Sequence, residues 1–423
     1  MSRAKYSVAV VGGGASGLMA AIAAARAGAS VCLLERQDRV GRKVLATGNG
    51  RCNLTNTSIA EQHYHGRTPG FANSVLRQFA VRDTLTFFDS LGILTTVEAD
   101  GEVYPRCAQA SAVLDVLRFE VQRLGVQTMV STEVTRLAPG AQGFALMHEG
   151  SRTEARAVVL AAGGKAMPQL GGSESGMRLA TSLGHRVVPI HPALVPLKTD
   201  CPYNRQLKGT KIDAVVTLDI AGAAARSQAG EVLFAEYGLS GPPLIQLSVP
   251  ATAALQSGDR VRLMLDLFPD WDQQTLTDHL RSRFERAGDA PLEQALIGLC
   301  HKRLILPLLA MAGISKTAPA VGSGGLASRL AVLFKAWTMT VTGSLSYNEA
   351  HVMHGGIDCA DLDPVTLQSC TVPGLYLTGE LLDVTGDCGG FNLQWAWSSG
   401  HVAGVEAART AGRADGAAGA GRG

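Results

Sequence analysis

The apolar run Tyr6-Ser7-Val8-Ala9-Val10-Val11 stops abruptly at Gly12-Gly13-Gly14-Ala15-Ser16-Gly17. An Ala-rich stretch from Leu18 to Ala27 follows, then a second apolar run, Val31-Cys32-Leu33-Leu34, that ends on Glu35. Unbroken apolar runs of this length mark strands buried on both faces. The pattern predicts strand, glycine turn, helix, strand, acid.

Further along, Val126 to Val134, Gly143 to His148 and Ala157 to Ala162 read as strands, the last ending in Gly163-Gly164. From about 186 to 250 helical periodicity disappears. Short β-rich pieces replace it, at Arg186 to Ile190, Ala214 to Ile220 and Glu231 to Ala235, punctuated by prolines 192, 196, 202, 242 and 243. Helical patterns return at Gln274 to Arg286, Leu292 to Ala312 and Leu326 to Ala336. Thr338 to Ser346 is β-like again. Gly374 to Glu380 reads as strand plus turn, and a helix from about Leu393 to Ala408 closes the pattern.

The predicted class is α/β: a Rossmann-like nucleotide-binding domain carrying an inserted β-rich domain and a helical domain. Its first part covers 1–190. The β-rich insert covers 191–255 and is closed by about 338–346; the helical insert covers 256–337. The second part covers 347–409, and the Gly/Ala/Arg-rich tail 410–423 reads as disordered.

Composition narrows the classes. The 423 residues are 46% hydrophobic and 17% charged, with a formal charge of +2. Such a balance predicts no nucleic-acid surface. No apolar run approaches the ~18–20 residues that span a bilayer. The first strand begins so early that no signal peptide is expected, and the predicted location is cytoplasmic. Eight cysteines without a C-x-x-C or metal spacing point to reduced thiols and no metal. His63-x-His65 lacks nearby partner ligands, so an exposed polar loop is its simpler reading.

The opening pattern is the dinucleotide-binding fingerprint in its required context. Gly12 permits the turn, Gly14 lets the backbone approach a pyrophosphate, and Gly17 lets helix and strand pack. The helix N-terminus offers N–H groups and a positive dipole end to phosphate. Glu35 stands where a carboxylate can accept from ribose hydroxyls. Two further segments carry chemistry. Gly41 to Asn56 alternates glycines with Arg42, Lys43, Thr47, Asn49 and Arg51, offering close backbone approach and cations for phosphate. Leu375 to Gly400 combines a strand end, the acids Glu380 and Asp383, and Gly389-Gly390-Phe391-Asn392 before a helix. That helix N-terminus could stabilise the negative charge of reduced flavin. No second strand–GxGxxG–helix–strand–acid unit is found, so one dedicated dinucleotide site is expected.

These motifs together resemble the BaiN/RdsA-type family of bacterial NAD(P)/FAD-dependent oxidoreductases, flavoproteins with two dinucleotide-binding motifs. The resemblance runs from about Tyr6 to Gly404. It is carried by GGGASGLMAA, GRKVLATGNGRCNLTN, GEVYPRCAQA, AAGGKAMPQLGGSESGMRLATSLGH, GEVLFAEYGLSGPPL and PGLYLTGELLDVTGDCGGFNLQWAWSSGHVAG. It implies an α/β fold with a Rossmann-like FAD-binding domain, an inserted β-barrel-like domain and a helical domain, and it implies non-covalent FAD with NAD(P)H as electron donor. Carried over by position, Gly12, Gly14, Ala15, Ser16 and Gly17 form the pyrophosphate turn. Glu35 and Arg36 serve the adenosine end. Arg42, Lys43, Thr47, Gly48, Asn49 and Arg51 form a second FAD loop. Val134 contacts adenine, Ala162 and Gly163 form a further turn, and Glu380, Asp383, Gly390, Phe391, Asn392 and Leu393 serve the ribityl and flavin end. Thr47, Asn49 and Cys107 depart from residues frequent in relatives.

A reductase also needs a proton donor. Tyr237, His354, Cys52 and Cys388 are candidates, and none is singled out; a buried Cys is usually inert and a hydrogen-bonded His structural. Trp395 and Trp397, two apart on one helix, cannot both face a flavin. The expected function is hydride transfer from NAD(P)H through FAD to an unsaturated or conjugated small molecule. The alternatives are a dehydrogenase or oxidase reoxidised by oxygen or a protein partner, and a flavin-binding electron-transfer or regulatory module.

Overall fold

The computed structural model describes residues 6–420, with backbone alone at 324 and 414–420. Two compact units divide the chain: Met1–His191 with His351–Gly423, and Pro192–Ala350.

The first unit opens with β1 (Tyr6–Val11), α1 (Ala15–Arg26), β2 (Val31–Leu34), β3 (Thr55–Asn56) and β4 (Tyr64–His65). It continues through α2 (Phe71–Leu76), α3 (Val81–Ser90), β5 (Thr95–Val97), β6 (Glu102–Pro105), α4 (Ala110–Arg123) and β7 (Gln127–Met129). Then come β8 (Arg136–Gly140), β9 (Gly143–His148), β10 (Ser151–Leu160), α5 (Ser175–Ser182) and β11 (Val187–Ala193). The second unit contains β12 (Leu197–Thr199), α6 (Asn204–Leu207), β13 (Lys211–Ile220), β14 (Ala223–Ala235), β15 (Gly238–Ser240) and α7 (Pro242–Gln256). It ends with β16 (Val261–Asp266), α8 (Gln273–Ala287), α9 (Leu292–Ala295), α10 (Lys302–Met311), α11 (Gly324–Lys335) and β17 (Trp337–Ser344). The chain returns to the first unit as β18 (Val352–Ile357), β19 (Leu375–Leu377), β20 (Thr385–Gly386) and α12 (Phe391–Ala420).

The main sheet of the first unit has the order β7-β2-β1-β10-β9-β8, with β19 also on β10. β7, β2, β1, β10 and β19 run parallel, and β9 and β8 form an antiparallel meander. Strand order reverses between β1 and β10, which puts a binding crevice at the carboxyl ends of these strands. The apolar runs of β1 and β2 occupy central positions, and Val8, Ala9, Val10, Cys32 and Leu33 have no exposed surface. The fold class read from the sequence is the class observed. α1 and α12 pack closely on this sheet, and the indoles of Trp395 and Trp397 are both fully buried. Their N–H groups donate to Gly379 O (3.0 Å) and Leu54 O (2.9 Å).

The second unit is a closed barrel, β12-β15-β14-β13-β16-β17, whose apolar core is continuous with that of its helices. Closure leaves no strand edge unpaired. Several element bounds differ from the sequence pattern. α7 occupies 242–256, in a stretch without helical periodicity; Pro242-Pro243 start it, where a missing N–H costs nothing. β16 falls where helical residues were expected. The run from Leu292 to Ala312 is two helices, because Gly298 turns left-handed (φ +85°) between them and His301 caps the second. α12 continues through 410–420, where Ala and Arg favour helix; residues 421–423 lie outside the described residues.

Candidate functional site

The sequence motifs converge on one edge of the first unit's sheet. Gly12 follows β1, Glu35 follows β2, Ala161 to Gly163 follow β10, and Thr378 to Glu380 follow β19. All sit at carboxyl ends of parallel strands. Gly12 adopts φ +105° against the backbone of Ala161 and Ala162. A side chain on Gly17 would overlap the carbonyl oxygen of Gly12, so turn and helix are in backbone contact. Gly14, by contrast, faces open space. It is also the N-cap of α1 and no side chain caps the helix, whose first turn holds no acid. The first N–H groups of α1 thus have neither an acceptor within the helix nor a side-chain cap, a ready site for phosphate. Ser16 itself is buried against Gly379.

Glu35 is fixed by its own surroundings. Oε2 accepts from Gly13 N (2.7 Å) and Oε1 from Gln37 N (2.7 Å). Each oxygen keeps acceptor capacity for a hydroxyl. The chain after β7 wraps over this position: Thr132 N donates to Glu35 O (2.8 Å) and Ser131 N to Gln37 O (2.7 Å). Buried Val134 follows at once, in the wall of a cavity of about 820 Å³ between 133–139 and α5. Gly163 (φ +69°) faces open space, while Ala162 packs against Gly176.

Arg36 and several cations of the second loop have protein partners. Arg36 donates to Gly171 O (3.0 Å) and Gly172 O (3.3 Å). Arg42 donates to Gln37 Oε1 (2.6 Å) and Gln169 O (3.1 Å). Arg51 stacks on Tyr104, 3.9 Å from its centroid, and pairs with Glu98 (2.7 Å). Lys43 pairs with Glu380 (2.6 Å), whose other oxygen accepts from Met353 N (2.9 Å). The loop itself is strongly bent. Thr47 is extended, Gly48 and Asn49 are both left-handed, and the Thr47 hydroxyl donates to Val44 O (2.6 Å).

The closing segment holds an unsatisfied acid. Asp383 is buried; Oδ2 accepts from Arg67 N (2.7 Å), but Oδ1 has no partner. Burial pushes its carboxyl above the usual range. Thr378 Oγ1 and Asn53 Oδ1 are also buried without partners. Gly389 and Gly390 (φ +114° and +97°) lead into α12, and Asn392 closes the turn through Gly386 N and O (both 2.8 Å). Phe391 stacks on His63 at 4.4 Å, while Leu393 is half-buried on the first turn of the helix.

His63 and His65, expected in an exposed polar loop, gather here with His354. His63 Nδ1 lies 3.1 Å from Asp387 Oδ2, and His65 Nε2 lies 2.8 Å from Asp387 Oδ1. Asp387 is buried. The two-residue strands β4 and β20 create this contact, pairing Thr385 with His65. His354, on β18, approaches Thr385 Oγ1 through Nδ1 (3.1 Å), and its ring lies 4.8 Å from that of His191. Burial foremost, then His191 and His65, pushes His354 down to about 4. Cys388 is pushed up to about 11 by burial and then by Glu102 and Asp387, and Cys52 up to about 12 by burial. Both are thiols at neutral pH, which removes their nucleophilic form. Tyr237 belongs to the second unit, at the turn between β14 and β15, with burial raising its phenol.

A model of the HI0933-like protein Rossmann domain matches residues 6–406. The chain belongs to the HI0933-like family. This is a family of Rossmann flavoprotein oxidoreductases, and the BaiN/RdsA-type resemblance falls within it. Among HI0933-like relatives, a protein of Clostridium scindens named 3-dehydro-bile acid delta(4,6)-reductase is 39% identical over 404 residues. That match covers 95% of this chain and 98% of the relative. A protein of Escherichia coli named ribosomal RNA dihydrouridine synthase is 32% identical over 403 residues, covering 93% and 96%. The solved structure of a quinol-fumarate reductase with menaquinol molecules superposes with a TM-score of 0.51 at 16% identity, over 97% of this chain and 72% of that one. This last is a likeness of fold alone. Among the described residues no helix is long and apolar enough to cross a membrane.

Proposed function

We propose that the protein binds FAD non-covalently at the carboxyl edge of the first unit's sheet and acts as an NAD(P)H-linked reductase of a conjugated small molecule. One observation carries the reading: the uncapped N-terminus of α1, open beside Gly14, stands next to the backbone-anchored carboxylate of Glu35. Phosphate and ribose need those two groups side by side. The unpartnered Asp383 Oδ1 fits the same group, because it lacks only a hydroxyl donor such as a ribityl chain carries.

In this reading the N–H groups at the start of α1 receive the pyrophosphate, and Glu35 accepts from the adenosine ribose. Val134 covers the adenine end. The Lys43–Glu380 pair ties the second loop to the closing segment, which fixes the chain's two ends around one ligand. When bound, FAD supplies two-electron transfer between a nicotinamide and the substrate. Two relatives named as a reductase acting at delta(4,6) positions and as a dihydrouridine synthase support reduction of a conjugated double bond as the reaction class. A bile-acid-like or pyrimidine-like carbon–carbon double bond next to a carbonyl fits both names.

Anaerobic mixing of the FAD-loaded protein with NADH or NADPH tests this directly. Bleaching of the flavin absorption, followed by its return when a conjugated enone is added, is the expected course. A flavin that neither nicotinamide bleaches would instead indicate a dehydrogenase, an oxidase or a partner-fed module.

A further inference from the structure

The reaction proposed above needs a proton as well as two electrons, and the histidine cluster at the closing turn contains one group placed to give it. His354 is unsuited. Its proton affinity is depressed by burial and by two neighbouring imidazoles, so it is neutral near pH 7. Thr385 Oγ1 donates to Met353 O (3.2 Å), so it accepts from His354 Nδ1 and leaves Nε2 as an acceptor. His63 has its ring packed on Phe391. His65 shares Asp387 with His63, through the shorter contact and with no ring stacked on it. It is partly exposed, it lies across the β4–β20 pair from Thr385, and its Nε2 meets the buried carboxylate of Asp387 at 2.8 Å. A buried carboxylate on one ring nitrogen fixes the tautomer and the orientation of the ring, leaving the other nitrogen to exchange a proton.

We propose that His65 is the proton donor of the reduction and that Asp387 is its positioning residue. The inference rests on the flavin reading given above. When bound, FAD reduced by NAD(P)H would supply the hydride equivalent, two electrons and a proton, to the β-carbon of a conjugated carbonyl. The π pair of the C=C bond moves toward the α-carbon. A C–H bond forms there as the Nδ1–H bond of His65 breaks, and its electron pair stays on the imidazole. The neutral ring, still donating from Nε2 to Asp387, regains its proton from solvent. His354 Nε2 and the buried, unpartnered Nε2 of His191 complete the polar side of the cluster.

The test uses 4-nitrophenol, whose anion mimics the enolate that a proton donor must stabilise, titrated by absorbance into the FAD-loaded full chain. Wild type is expected to bind the phenolate. H65A and D387N are expected to weaken it by about tenfold or more, the size of losing a hydrogen bond to a charged group. Added imidazole should restore binding to H65A and not to D387N, a difference that a merely structural role would not produce. FAD affinity, read separately by flavin fluorescence, should match wild type in H65A. Phenolate binding that is absent in wild type, or equal in wild type and H65A, overturns the proposal. A wild-type chain that takes up no FAD overturns the flavin reading on which it rests, and the fluorescence titration identifies that failure by itself.

Discussion

At the scale of single residues, two carboxylates show how surroundings set a role. Glu35 is held by two backbone N–H groups and faces the open end of the crevice. Glu35→Gln keeps the shape but turns an amide N–H toward Gly13 N or Gln37 N, which are already donors. FAD affinity should fall by about tenfold or more, measured by flavin fluorescence, with little change in the unliganded fold. Glu120 is structural. It sits on α4, buried, and Arg123 foremost, then Arg26 of α1, hold its carboxyl down at about 2. A folded-state pKa below the unfolded 4.5 means that this stabilisation is fully present above about pH 4.5 and lost as pH falls toward 2. Glu120→Gln should therefore lower stability by on the order of 1–3 kcal/mol at pH 7, and the difference from wild type should vanish near pH 2 in denaturant titrations. The same scale shows where sequence reading ran out. Glu35, Gly14 and Gly17 were legible because strand, turn and helix are adjacent in the chain. His65 and Asp387 were not, because 322 positions separate them and only the short β4–β20 pairing brings them together. Arg42 and Arg51, read as phosphate cations, have protein partners that composition could not reveal.

At the scale of elements, α1 and α12 together fix the position of the candidate phosphate site. A side chain on Gly400 would overlap Ser16 O, and one on Gly404 would overlap Ala20 O, so the two helices meet backbone to backbone. Their separation sets where the N-terminus of α1 points. Gly404→Val should push α1 away from its site, lowering the unfolding temperature and weakening FAD together; a change in stability without a change in affinity would show that α1 is located independently of α12. Regular elements with strong periodicity, such as β1, β2, β9 and α8, were readable from the sequence to within a residue or two. Elements set by punctuation were less so. α7 is apolar all round its buried length, which hides helical spacing, and the break between α9 and α10 depends on one left-handed glycine.

At the scale of the molecule, the chain leaves the nucleotide-type unit after His191 and rejoins it at His351. The sheet that carries Glu35 early in the chain carries Glu380 late, and Lys43 joins the two ends through a 2.6 Å ion pair. A ligand bound there would engage both ends and stabilise the whole first unit by mass action. The most direct measurement is a titration of FAD into the flavin-free chain, with FMN and NAD as comparators. The account predicts one FAD per chain, with FMN much weaker because it lacks the adenosine that Glu35 and Val134 are proposed to hold, and a rise in unfolding temperature on saturation. No uptake of FAD, or equal affinity for FMN, would contradict it.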